Sequence, residues 1–139
     1  MPEKSTTPDL VELSRRLLEA VNRLDVDAII SFYAPHAVWR AAGGYTVEGR
    51  AAIRRFVEEL FVPLDDVHCE LEEFIDLGNG VVFSVIILTS HPVGSSGELR
   101  TRYASVGVWT DGLIERVTDY TDNIDDARPD AERLAQERG

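Results

Sequence analysis

The chain has 139 residues, enough for one domain of ordinary size and too few for two. Apolar residues make up 44% and charged residues 28%, a globular balance that can fill a core and argues against disorder over most of the length. Twenty-five acidic against fourteen basic residues leave a formal net charge of −11, which opposes a nucleic-acid partner, since counterion release along a phosphate backbone needs clustered cations. One cysteine, Cys69, excludes an intrachain disulfide framework and a cysteine-rich zinc site, and it fits a reducing, cytoplasmic compartment. The N-terminal residues lack a basic segment followed by an apolar one, so no secretory signal is expected. The longest apolar run, residues 81–88 with Ser84 inside it, falls far short of the ~20 residues that span a bilayer, so no membrane partner is expected.

Residues 1–7 are polar and read as a flexible N-terminus. Thr7-Pro8-Asp9 is a helix start: a hydroxyl cap, proline in the first helical position and an acid in the first turn. Leu10, Leu13, Leu17, Val21 and Leu24 follow at helical spacing and form one apolar stripe. Asp25 caps a second, short helix carrying Ile29, Phe32 and Tyr33. Pro35 ends it, because a residue before proline disfavours the helical region. Residues 37–41 read as a short strand, closed by a turn at Gly43-Gly44. Residues 49–61 form a third amphipathic helix with Ile53, Phe56, Val57 and Leu60 inward. Arg54 with Glu58 and Arg55 with Glu59 stand one turn apart on its wet side.

The second half changes character. Residues 67–77, 81–90, 99–110 and 113–121 are strand-like runs, separated by Gly78-Asn79-Gly80, by a Pro- and Gly-containing segment at 92–97 and by Asp111-Gly112. Asp-Gly between two apolar runs is a strong two-residue hairpin signal, and loops this short make neighbours antiparallel. A main domain over 8–123 is therefore expected, with a charged, alanine-bearing tail over 124–139. That tail reads either as a helix after Asp125-Asp126 or as a disordered segment. Three helices followed by an antiparallel meander predict an α+β domain.

This order of elements, with these residues, resembles the nuclear transport factor two-like (cystatin-like) fold, and within it the SnoaL-like family. The matching pieces are Asp25-Val26-Asp27-Ala28, Phe32-Tyr33-Ala34, the run from Gly49 to Phe56, Val108-Trp109-Thr110-Asp111-Gly112-Leu113-Ile114 and Thr118-Asp119-Tyr120-Thr121-Asp122. The resemblance implies a curved sheet wrapped around a conical apolar pocket, with three helices on the concave side and homodimerisation through the sheet's outer face. Arg100, Arg102, Val106 and Tyr120 are expected on that outer face. The family includes polyketide cyclases, ketosteroid isomerases, epoxide hydrolases, dehydratases and non-catalytic binding domains, so fold alone does not decide activity.

Period-two alternation sets the pocket face. If Asp119 points inward, so do Val117 and Thr121. By the resemblance, Trp39, Ala41, Ser84, Ile86, Leu88, Tyr103 and Ser105 also point in, joined by Phe56 from the third helix. A carboxylate in such a lining has its charged form penalised, and a raised pKa would let Asp119 act as acid or base near neutrality. The competing reading of Asp119 is a carboxylate paired with an arginine or satisfied by loop amides. His36, His68 and His91 read as surface or rim residues, and no spacing suggests a metal or another cofactor. The epoxide hydrolases of this fold hold a water between two aspartates, an arginine, a tyrosine and an asparagine. Asp119 matches one of the aspartates, while Ile86, Leu88, Trp39 and Ala41 fill the other positions. Ketosteroid isomerases carry acids and a tyrosine where this chain has Ala41, Leu17 and Ser105. Two readings stay open. One is a site for a small hydrophobic molecule with cofactor-free isomerase, cyclase or dehydratase chemistry, in which Asp119 moves the proton and Tyr103 and Ser105 donate hydrogen bonds. The other is a non-catalytic ligand-binding or protein-association module.

Overall fold

The structure, a computed structural model, describes residues 9–139. Residues 1–7 and the Thr7-Pro8 part of the first helix signal lie outside them. Helix α1 (Leu10–Asn22) is capped by Asp9, whose Oδ1 accepts the backbone N–H of Val11 at 3.1 Å and of Glu12 at 3.2 Å. Asp25 caps α2 (Val26–Ile30) in the same way, through the N–H of Ala28 at 3.1 Å.

The boundary after α2 differs from the expectation. The second helix stops at Ile30, and Phe32 and Tyr33 are not part of it. Strand β1 already runs over Tyr33–Arg40, with Pro35 inside it. Strand β6 (Leu113–Tyr120) is its parallel partner, and that ladder breaks between Tyr33 and Val38. Pro35 sits in the break, where its missing N–H costs no ladder bond. Beyond β1, Gly43 (φ 86°) and Gly44 (φ 87°) turn the chain into a three-residue strand, β2 (Thr46–Glu48), that the sequence pattern does not announce. Helix α3 (Arg50–Phe61) follows. Its Arg54 reaches Asp27 of α2 at 2.8 Å instead of pairing with Glu58, so the charge ties two helices together.

Strands β3 (Leu64–Gly78), β4 (Val81–Pro92), β5 (Leu99–Thr110) and β6 form the expected antiparallel meander. At the β5–β6 turn, Asp111 (φ 53°) and Gly112 (φ 81°) both take the left-handed backbone that a two-residue hairpin requires. The sheet order is β2-β1-β6-β5-β4-β3, antiparallel except for the β1–β6 pair. The architecture is the expected α+β curved sheet, with α1, α2 and α3 against one face. Ile29, Ile30, Tyr33, Ile53, Trp109 and Ile114 fill the core on that side.

Residues of the opposite parity make a second core on the outer face: Val81, Phe83, Val85, Val106 and Val108. The tail covers them as helix α4 (Ile124–Arg138). Ala127, Ala131 and Ala135 recur every fourth residue and are all buried, so small side chains let the helix lie close on the strands. Asp125 and Asp126 in its first turn and Arg138 in its last complement the helix dipole. Tyr120 donates its hydroxyl to Asp130 at 2.9 Å, and Arg138 donates to the Asn79 carbonyl at 3.0 Å. Val106 and Tyr120, expected on a face open to a partner, thus lie against α4. Arg100 and Arg102 remain exposed, and Arg102 binds both carboxylate oxygens of Glu72.

Candidate functional site

Inward parity leaves a cavity of about 450 Å³ between the concave face of the sheet and helices α1 and α3. A volume of this order suits a small organic ligand. Strands contribute Trp39, Ile86, Leu88, Tyr103, Val117 and Asp119 to its wall, and Ala41, Thr101 and Thr121 lie near the strand ends. Helix α1 adds Leu17, Leu18 and Val21, and α3 adds Phe56, Val57, Leu60 and Phe61.

Among the described residues, Asp119 is the one acid on this wall, and no arginine, lysine or histidine lines it. Its neighbours follow from strand register. In the parallel ladder Trp39 pairs with Val117, which brings the indole beside residue 119. Trp39 donates its Nε1–H to Asp119 Oδ2 at 2.9 Å. Ser105 is directly opposite Asp119 across the β5–β6 ladder. Burial pushes the Asp119 pKa from 3.8 up to about 6, and the Trp39 N–H and Ser105 hydroxyl, which favour the charged form, hold it from rising further. Asp119 is therefore neither arginine-paired nor held by loop amides. Arg50, the first residue of α3, turns its guanidinium to the Tyr33 carbonyl at 2.6 Å instead.

Two expected wall residues are not on the wall. Ser84 is buried to 8% exposure and faces Ser105 in the β4–β5 ladder. The cavity ends one inward step before this pair, at Ile86 and Tyr103. Ser105 consequently serves Asp119 and not the cavity, so it is unplaced as a donor to a ligand. Trp39, Ala41, Phe56, Ile86, Leu88, Tyr103, Val117, Asp119 and Thr121 all line it.

The sequence reading missed Tyr33 and Cys69. Tyr33, expected on the second helix, is the first residue of β1 and points into the cavity from there. The period-two pattern that runs on to Ala37 and Trp39 carries the signal that was available. Cys69 shares parity with Val67 and Leu71, and burial pushes its thiol up to about 11, so it stays protonated and unreactive. Burial, and after it the Asp119 charge, also pushes the phenols of Tyr33 and Tyr103 above their usual range. Both are therefore neutral O–H groups at any working pH. The histidines stand elsewhere. His36 is exposed, His68 meets Glu70 at 3.2 Å, and His91 is held between Asp66 at 2.5 Å and Glu98 at 3.4 Å. Among the described residues, no three His, Cys, Asp or Glu side chains are grouped to hold a metal ion, and no helix is long and apolar enough to cross a membrane.

Solved structures of similar fold bracket this geometry. A protein from Catenulispora acidiphila with a ketosteroid isomerase-like fold, solved with trimethylamine, superposes with a TM-score of 0.72 at 17% identity, covering 81% of this chain and 86% of that one. A putative SnoaL-like polyketide cyclase from Shewanella denitrificans gives 0.70 at 11% identity, covering 92% and 99%. An LEH-like epoxide hydrolase from M. tuberculosis gives 0.70 at 12% identity, covering 91% of each chain. At these identities the likeness is one of fold. No curated protein sequence matches the chain. The family model for the SnoaL-like domain matches residues 14–117, from within α1 through the strand that carries Val117 beside Trp39. With three quarters of its length under that model, and with the helix order, curved sheet and conical cavity in place, the chain belongs to the SnoaL-like domain family.

Proposed function

We propose that the cavity binds a small hydrophobic molecule and that Asp119 moves a proton on it without a cofactor. The observation that carries this reading is the position of Asp119: an ionisable group on an otherwise uncharged wall, with a pKa of about 6 caused first by burial. A carboxyl group near neutrality both takes and returns a proton at useful rates. Isomerisation, cyclisation and dehydration all need such a shuttle. Tyr33 and Tyr103 supply neutral O–H donors for an oxygen that gains charge as the proton leaves. The open cavity supports ligand binding over a collapsed, purely structural cone. Epoxide hydrolysis is not favoured, because the wall offers Ile86, Leu88, Trp39 and Ala41 where the water-binding set has an arginine, an aspartate, a tyrosine and an asparagine.

Deuterium uptake at the carbon beside the ketone of 2-tetralone, followed by proton NMR in D₂O, tests this chemistry. The parent protein should accelerate uptake and Asp119→Asn should not. Equal rates for the two proteins would remove the proton-transfer role. For self-association we propose the end of the outer face that α4 leaves open. There β5 exposes Arg100 and β3 exposes Glu70, an arrangement that a two-fold axis can make self-complementary.

A further inference from the structure

Among the described residues, the cavity holds a carboxylate but no cation. Asp119 takes part in no ion pair among the described residues, and the groups that face it are all neutral. These are Trp39 and Tyr33 from β1 and Tyr103 and Ser105 from β5, and β3 adds only the protonated thiol of Cys69 to the cavity. Helices α1 and α3 present only apolar side chains to the same space. Two neutral donors, the Trp39 N–H and the Ser105 hydroxyl, leave part of the carboxylate's four acceptor positions unused. Around it the wall is aromatic. Trp39 and Phe56 meet at 86° with ring centroids 5.0 Å apart, so their π faces point in two directions. Tyr33 and Tyr103 add two more rings.

We propose that the ligand of this cavity is a hydrophobic amine or quaternary ammonium, with its cationic head beside Asp119 among Trp39, Phe56, Tyr33 and Tyr103. This rests on the reading of the cavity as a binding site and names the chemical class that fills it. An anionic ligand meets an uncompensated carboxylate and no counter-charge. A neutral ligand without a hydrogen-bond donor covers Asp119 and offers its charged form no partner. A cation supplies both a charge partner for the carboxylate and attraction to the ring faces. The chain's net charge of −11 also draws cations toward the protein at low ionic strength. A bound cation keeps Asp119 ionised, which is the form a base needs.

Benzyltrimethylammonium and neopentylbenzene test the inference, because they share a shape and differ in one charge. Binding of each is read from the NMR shift of the Trp39 indole N–H. At pH 8 the cation should bind at least about tenfold tighter than its carbon isostere, the ratio that 1.4 kcal/mol supplies. The preference should shrink below the Asp119 pKa of about 6 and vanish in Asp119→Asn. Phe56→Leu, which removes a ring and keeps apolar bulk, should weaken the cation severalfold and spare the isostere. If the isostere binds as well as the cation at pH 8, or if Asp119→Asn keeps the preference, the inference is wrong while the binding reading stands. If neither probe binds, both are overturned.

Discussion

Replacing Asp119 by asparagine should stabilise the protein at pH 8 and change little near pH 3.5. The folded-state pKa of this carboxyl is about 6 against an ordinary 3.8, so ionisation is harder in the folded chain than in the unfolded one. Below pH 3.8 both states hold the proton and the group contributes nothing. Between pH 3.8 and about 6 the unfolded chain has released it while the folded chain retains it, and stability falls as pH rises. Above that window the full penalty applies, about 3 kcal/mol at 1.36 kcal/mol per tenfold change. Asparagine carries no such penalty, and its carbonyl keeps the bond from the Trp39 N–H, though as a neutral bond of roughly half the strength. The net gain at pH 8 should therefore lie at about 1–3 kcal/mol, several degrees in melting temperature for a domain of this size. Urea unfolding of parent and variant from pH 3.5 to 8 measures it. Every other titrating group is common to both, so the difference between the two curves isolates Asp119. A difference that stays flat across the window would refute the reasoning, and a variant less stable at every pH would make Asp119 a structural acceptor.

Trp39→Phe removes the indole donor and should move the Asp119 pKa above about 6, read by carbon NMR of its carboxyl; an unchanged value would mean that the bond does not tune it. Gly80→Ala should cost more than about 2 kcal/mol in urea unfolding, because a Cβ there would lie 2.3 Å from the Trp109 carbonyl oxygen at a backbone φ of 81°. Ending the chain at Asn123 uncovers Phe83, Val85 and Val106, and the shortened chain should associate beyond the mass of the full chain in light scattering at micromolar concentration; association no greater than the full chain's would remove the covering role of α4. Arg100→Glu should lower the scattering mass of the full chain from that of a dimer to 15.5 kDa, and no change in a dimer's mass would place the interface elsewhere.

Parity explains much of what the sequence made legible. Strands turn alternate residues inward, so Val117 and Thr121 follow from the pattern once Asp119 is oriented, whereas Tyr103 on β5 is placed by the family resemblance. Depth along a strand has no such signature. Ser84 and Ile86 share a parity, yet the cavity stops between them because the cone closes. The α2–β1 boundary is not legible because Pro35 has the pattern of a helix stop, whereas it marks a break in a ladder with the distant strand β6. Helix α4 is ambiguous in the sequence because its buried face is alanine. Ala127, Ala131 and Ala135 carry the right period but too little apolar area to distinguish a packed helix from a solvated tail.

The bond from Trp39 to Asp119 spans 80 residues of chain and rests on the one parallel ladder in the sheet. The hairpins from β3 to β6 close across short connections, whereas joining β1 to β6 closes a far longer loop at greater entropic cost. The meander can therefore assemble first, and the cavity gains its Trp39 wall only when the N-terminal strand docks. A chain in which β1 has not docked lacks the Trp39 side of the cavity. A ligand of the cavity will consequently leave the early folding rate untouched and act by slowing unfolding, in proportion to how fully it occupies the finished chain.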